Sequence, residues 1–241
     1  MILGIIPARY ASTRFPGKPL VMIDGKPMIQ RVYEQALKSD LDAIVVATDD
    51  VRIADAVRSF GGNVVMTSEN HPSGTDRCAE ALENFKGDWE AVVNIQGDEP
   101  YIQPSQINAV ASLLKNGAPI ATLVKKIDSV EELTNINSPK VVISSNGDAL
   151  YFSRQPIPFQ KGVAINDWLN HCTYYKHIGI YGYQSTVLPK LTQLKQGVLE
   201  TAESLEQLRW LENGYSIMTA ETTENTVAID TPEDLSRLKN L

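Results

Sequence analysis

Short, mainly apolar runs recur in this chain at residues 2–6, 43–47, 63–66, 91–95 and 120–124, with helical patterns between them. Runs of this length suit strands buried on both faces, as in a parallel sheet. Between them, residues 28–37 place Met28, Ile29, Val32, Tyr33, Ala36 and Leu37 on one helical face, and 51–60, 76–85 and 105–114 behave alike. Strand–helix alternation predicts βαβ units with right-handed crossovers. It also predicts where a ligand sits: beyond the carboxyl ends of the parallel strands.

The rhythm changes after about residue 125. Residues 141–144 and 149–153 read as a hairpin turning through Asn146-Gly147. A strand is expected at 178–183, a helix at 200–213 stopped by Gly214, a last strand at 227–229 and a closing helix at 232–239. Residues 153–167 carry several prolines and no period, and read as a loop or flap. No repeat or low-complexity linker divides the chain. The expectation is one α/β domain, 1–241, with a mixed, mostly parallel sheet and an antiparallel insertion within about 125–215.

Composition narrows the function. A net charge of −7 lacks the basic excess of a nucleic-acid surface, although a few converging cations still bind a polyphosphate. Two distant cysteines, Cys78 and Cys172, argue against a disulfide scaffold or a zinc site and for a reducing, cytoplasmic compartment. The run 2–6 lacks the basic flank and the length of a signal segment, and no stretch is long enough to span a bilayer.

The loop after the first run is Pro7-Ala8-Arg9-Tyr10-Ala11-Ser12-Thr13-Arg14-Phe15-Pro16-Gly17-Lys18-Pro19-Leu20. Small residues let backbone N–H groups approach an anion, and Arg9, Arg14 and Lys18 add charge-assisted bonds to phosphate. The glycine spacing is that of neither a Walker loop nor a dinucleotide fingerprint. A solvated basic loop is the plain alternative, and the position after a strand favours a triphosphate site. Asp98 and Asp230 each follow a predicted strand, where carboxylates suit Mg²⁺. Asp230 also reads as a helix cap before Thr231-Pro232-Glu233, and Asp98 as a turn residue.

That first loop resembles the opening of the CMP-Kdo synthetases (3-deoxy-manno-octulosonate cytidylyltransferases). So, in order, do Ala47-Thr48-Asp49-Asp50, Ser73-Gly74-Thr75-Asp76-Arg77 and Gln96-Gly97-Asp98-Glu99-Pro100. The similarity continues through Tyr151-Phe152-Ser153-Arg154, Lys176-His177-Ile178-Gly179-Ile180-Tyr181, Leu205-Glu206-Gln207-Leu208-Arg209 and Ile229-Asp230-Thr231-Pro232-Glu233-Asp234-Leu235, and is weakest at 155–172. The resemblance implies a Rossmann-like, GT-A-like nucleotidyltransferase fold. It implies transfer of CMP from CTP to Kdo for lipopolysaccharide synthesis, with Mg²⁺ as cofactor and a homodimer built through the insertion, and no nucleic-acid or membrane partner.

It also assigns residues. Ala8, Arg9, Ser12, Arg14, Lys18, Ser73, Gly74, Arg77, Gln96 and Asp98 would bind the nucleotide. Arg154, His177, Tyr181, Glu206 and Gln207 would bind the sugar, with Arg154 suited to its carboxylate. Asp98 and Asp230 would hold the metal, and Arg9 and Lys18 would join them in catalysis. His177 and Tyr181 equally suit a packed core, and Glu206 and Gln207, adjacent on a helix, point about 100° apart. The reaction implied is in-line attack of the sugar's anomeric hydroxyl on the α-phosphorus, with Mg²⁺ activating the hydroxyl, a second ion on the β- and γ-phosphates, and cations stabilising the leaving pyrophosphate. The alternatives are an 8-amino relative of Kdo, another acid sugar, or a non-catalytic nucleotide-binding protein of the same fold.

Overall fold

Strand β1, Ile2–Ala8, is hydrophobic on both faces, and both are covered: Ile2 and Ile6 join one apolar cluster, Leu3 and Ile5 another. A strand buried twice over belongs in the middle of a sheet. The computed structural model describes residues 1–11, 15–225, 228–229 and 231–238, the last three by backbone alone.

After β1 and a single turn at Lys18–Leu20 comes a two-stranded ribbon, β2 (Met22–Ile23) and β3 (Lys26–Pro27). Then follow α1 (Met28–Ala36), β4 (Ala43–Thr48), α2 (Val51–Ser59), β5 (Val64–Met66), α3 (Gly74–Asn84), β6 (Ala91–Asn94), α4 (Pro104–Lys115) and β7 (Ile120–Lys126). These agree with the expected elements to within two residues at each boundary. The second half holds α5 (Val130–Thr134), the hairpin β8 (Lys140–Ile143) and β9 (Ala149–Ser153), α6 (Trp168–His171) and β10 (Tyr175–Gln184). It ends with α7 (Leu188–Leu191), α8 (Val198–Glu203), α9 (Gln207–Glu212), β11 (Ile217–Glu221) and α10 (Pro232–Leu238).

The sheet order is β11-β7-β10-β6-β1-β4-β5, with β8 on β10 and β9 on β8. All pairs on the main path are parallel except those of β10, which is antiparallel to both β6 and β7. The antiparallel element is thus wedged into the sheet centre as well as added at its side. Helices α1, α2 and α4 cover one face; α3 and α7–α9 cover the other.

Three expectations change. The helix foreseen at 200–213 is two helices, broken at Ser204, whose backbone is left-handed (φ 52°, ψ 48°). A strand that periodicity missed, β11, pairs in parallel with β7; its alternating Ile217, Met218, Thr219, Ala220 resembled no apolar run. Of the strand expected at 227–229, Val227 lies outside the described residues and Ile229 is in no strand. Ile229 is nonetheless anchored: it packs on Ile23 and Met28 and donates its N–H to the Asp98 carbonyl at 2.9 Å.

Candidate active site

The parallel strands β1, β4 and β6 end at one rim, and the loops after β1 and β6 meet there. Gly97 makes the meeting close: a Cβ at this position would lie 2.8 Å from the Pro7 carbonyl oxygen. Any other residue would push the Gln96–Asp98 turn off β1. The loop after β1 is closed at its neck by the Gly17 N–H donating to Tyr10 O at 2.9 Å, with Gly17 left-handed (φ 72°) against the Tyr10 ring. The Arg52 guanidinium covers the Tyr10 ring at 3.3 Å, itself held by Asp50, the cap of α2.

Between these loops and the start of α3 lies a cavity of about 240 Å³. Ala8, Arg9, Lys18, Ser73, Gly74 and Arg77 line it, as do Gln96 and Asp98. Every nucleotide residue expected from the sequence and described is therefore at this cavity. Ser12, Arg14 and Asp230 lie outside the described residues. Arg9 is exposed, and Lys18 Nζ donates to Asp98 Oδ2 at 2.7 Å. Ser73 caps α3, accepting from the Asp76 N–H at 3.2 Å and donating to its carboxylate at 2.6 Å. The capping role and the cavity position coexist. Arg77 is buried, donates to Thr67 Oγ1 at 2.6 Å and lies 3.5 Å from Asp49, so its guanidinium is a fixed part of the wall.

Sequence reasoning missed His71, which lines the same cavity and pairs with Glu80. The available signal was its place two residues before the Ser73 cap. Glu99 reads from the sequence as a supporting or structural residue beside Asp98. That carboxyl is buried, and burial, then the charge of Asp98, pushes its pKa up to about 7. Cys78 is wholly buried and its thiol pKa is driven up, which removes it as a nucleophile.

The expected sugar residues do not line this cavity. They lie around β10 and α9. Opposite the step Thr122–Leu123 of β7, β10 inserts two extra residues, Gly179 and Ile180, and the Thr122 hydroxyl bridges the Ile178 and Ile180 carbonyls at 3.2 and 2.8 Å. An insertion of two preserves alternation, so His177 and Tyr181 share a face, with ring centroids 5.2 Å apart. Tyr181 is buried and His177 half-buried, and neither the enclosed His177 Nε2 nor Tyr181 Oη has a hydrogen-bond partner among the described residues; Gln207 Nε2 is the same. Burial lowers the His177 pKa to about 4 and raises that of Tyr181 far above the usual phenol range. Buried donors and acceptors left open cost about 1–3 kcal/mol each, a cost a polar ligand offsets.

Glu206 accepts from Thr75 Oγ1 at 2.9 Å. Its pKa is raised by burial, against the lowering effect of Thr75, Ser73 and Arg209. Nearby, Tyr183 Oη has Thr75 and Asn94 as polar neighbours but no hydrogen bond of good geometry. Asn94 was legible in retrospect as the amide inside the apolar run 91–95.

Arg154 is placed differently from the expectation of a guanidinium open to a carboxylate. It donates to the backbone carbonyls of Glu203 (2.7 Å), Ile136 (3.0 Å) and Ser204 (3.2 Å). The Glu203 carboxylate in turn accepts from Ser153 Oγ and the Arg154 N–H. Arg154 thus braces the left-handed kink that separates α8 from α9 and orients the segment carrying Glu206 and Gln207.

Comparison with known proteins agrees with this architecture. A family model described as cytidylyltransferase matches residues 3–221. A 3-deoxy-manno-octulosonate cytidylyltransferase of Bacteroides thetaiotaomicron is 60% identical over 237 residues, spanning 97% of this chain and 94% of the relative. One of Parabacteroides distasonis is 56% identical over 240 residues, spanning 98% and 95%. A solved CMP:2-keto-3-deoxy-manno-octonic acid synthetase complexed with CTP matches with a TM-score of 0.91 at 42% identity, over 99% of this chain and 97% of that one.

Proposed function

The chain belongs to the cytidylyltransferase family, and from that premise we propose that it transfers CMP from CTP to the anomeric hydroxyl of 3-deoxy-D-manno-octulosonate, releasing pyrophosphate. The observation that carries this reading is the rim cavity. A basic loop and a strand-end carboxylate face each other there through the Lys18–Asp98 pair, in a chain 60% identical to a relative of that name.

In this reading Arg9 and Lys18 hold the triphosphate and meet the charge that develops as pyrophosphate leaves. Ser73, Gly74 and Gln96 surround the nucleoside, and Arg77 keeps the wall rigid. The sugar hydroxyls pair with the open polar atoms of His177, Tyr181 and Gln207 and with the Glu206 carboxylate already oriented by Thr75. Arg154 orients that set, and the acceptor region is the 125–215 segment.

Mg²⁺ fits the donor set. Asp98 is a hard oxygen ligand at the cavity, and the Ile229 N–H bonded to its carbonyl tethers the chain next to Asp230 in sequence. No group of three or more His, Cys, Asp or Glu side chains gathers among the described residues, so Asp98 and Asp230 would share the ion with phosphate oxygens and water. Such an ion supplies charge neutralisation at the α-phosphate and a lowered pKa for the attacking hydroxyl.

A cytoplasmic homodimer completes the proposal. Among the described residues no helix is long and apolar enough to cross a membrane. Strand β9 pairs only with β8 there, and its Leu150 is 58% exposed. Pyrophosphate release tests the function: CTP with Kdo and Mg²⁺ should turn over, UTP should not, and a preference for another acid sugar would replace the acceptor. Light scattering tests the dimer, and a monomer at micromolar concentration would remove it.

A further inference from the structure

Thr75 is absent from the substrate-binding set, yet it links its two halves. It lies one residue after Gly74, which lines the nucleotide cavity, and its hydroxyl reaches across 131 positions of sequence to Glu206. Thr75 is only 4% exposed, so water does not replace that bond if it is lost. As a first-turn residue of α3, it is held in place by the Ser73 cap. The hydroxyl donates its proton to a carboxylate oxygen at 2.9 Å, with Tyr183 Oη a further polar neighbour.

From this geometry we infer that Thr75 is a positioning residue for the acceptor sugar: it holds the Glu206 carboxylate in one orientation and ties that orientation to the helix start bordering the nucleotide. The inference rests on the proposed role of Glu206 as a sugar ligand. The charged and titratable groups facing Glu206 are few. From α9 comes Arg209, itself paired with Glu200 of α8 at 2.5 and 2.6 Å. From α3 come Asp76 and Cys78, and from β10 Tyr181 and Tyr183. Arg209 favours the ionised carboxylate and Asp76 opposes it. Burial opposes it most, and the Thr75 hydroxyl is the main group that counters burial.

Thr75→Val keeps the shape and removes the hydroxyl. It should raise the KM for Kdo about 10-fold or more, as expected for a hydrogen bond to a charged group, with the KM for CTP within about twofold. The acidic limb of kcat/KM for Kdo should move to higher pH, a shift that looser packing alone does not produce. Thr75→Ser, which keeps the hydroxyl, should return both towards wild type. Glu206→Gln is measured alongside. If it raises the sugar KM while Thr75→Val leaves the KM and the pH limb unchanged, the positioning role is overturned and the sugar site stands. If Glu206→Gln changes neither, the sugar role of Glu206 falls and this inference with it. Should Thr75→Val not fold, Thr75→Ala reports the same loss, and equal changes for CTP and Kdo would overturn the inference.

Discussion

The two halves of the proposed site are made by opposite means. The nucleotide half is built from loops at strand ends: exposed Arg9, the Lys18–Asp98 pair and the capped start of α3 surround an open cavity. The acceptor half is built inside the fold, from a strand that runs backwards through the sheet and a helix broken in two. Its polar atoms are buried and several lack partners among the described residues. Charge near solvent serves a phosphate chain that brings its own counterions. The hydroxyls of a sugar are better discriminated by buried groups that are costly to leave unpaired.

The largest test of this contrast lies at the nucleotide half. Asp98→Asn should lower kcat by about 10³-fold, roughly 4 kcal/mol, with the far-UV spectrum unchanged. Full turnover in excess EDTA would remove the metal from the proposal. Lys18→Ala should follow, at about 10²-fold in kcat/KM for CTP. A rate near wild type at all CTP concentrations would make the Lys18–Asp98 pair a structural contact only.

At the acceptor half the tests read burial. The pKa of His177 is depressed from 6.5 to about 4, so the unfolded chain takes up a proton first as the pH falls. Stability is present above about 6.5 and is lost on the way down to about 4. Between pH 7 and pH 5 wild type should lose about 2 kcal/mol more than His177→Gln in urea melts. Parallel curves would mean that His177 is solvated. The smallest effect is expected at Arg154. Arg154→Ala should raise the KM for Kdo by roughly 10-fold and spare CTP. Adding Ser204→Gly should recover part of the loss, because glycine is at ease in the left-handed region that Arg154 braces. A loss untouched by Ser204→Gly would make Arg154 a direct ligand of the sugar carboxylate.

Strands β1, β4, β6 and β7 and their helices were legible because burial on both faces leaves an unbroken apolar run. The rim loops were legible because cations, glycine and a strand-end aspartate cluster within short motifs. The proposed acceptor residues rest on family resemblance alone. Periodicity in 200–213 predicts one helix, because side-chain spacing cannot register the carbonyls that Arg154 draws into a kink. Nor does a two-residue insertion in β10 leave a pattern, since it preserves alternation.

By itself, then, the sequence determined a mostly parallel α/β sheet and the position and charge of the loops at its rim, since both follow from short-range pattern. Tertiary structure alone decided that β10 divides the sheet between β6 and β7, that Ile229 docks on Asp98, and that Thr75 meets Glu206. The last two contacts join residues 131 positions apart, and one hydrogen bond between distant residues has no local signature. Which buried polar atom finds a partner, and which is left for a ligand, is settled only when the two faces of the sheet are packed.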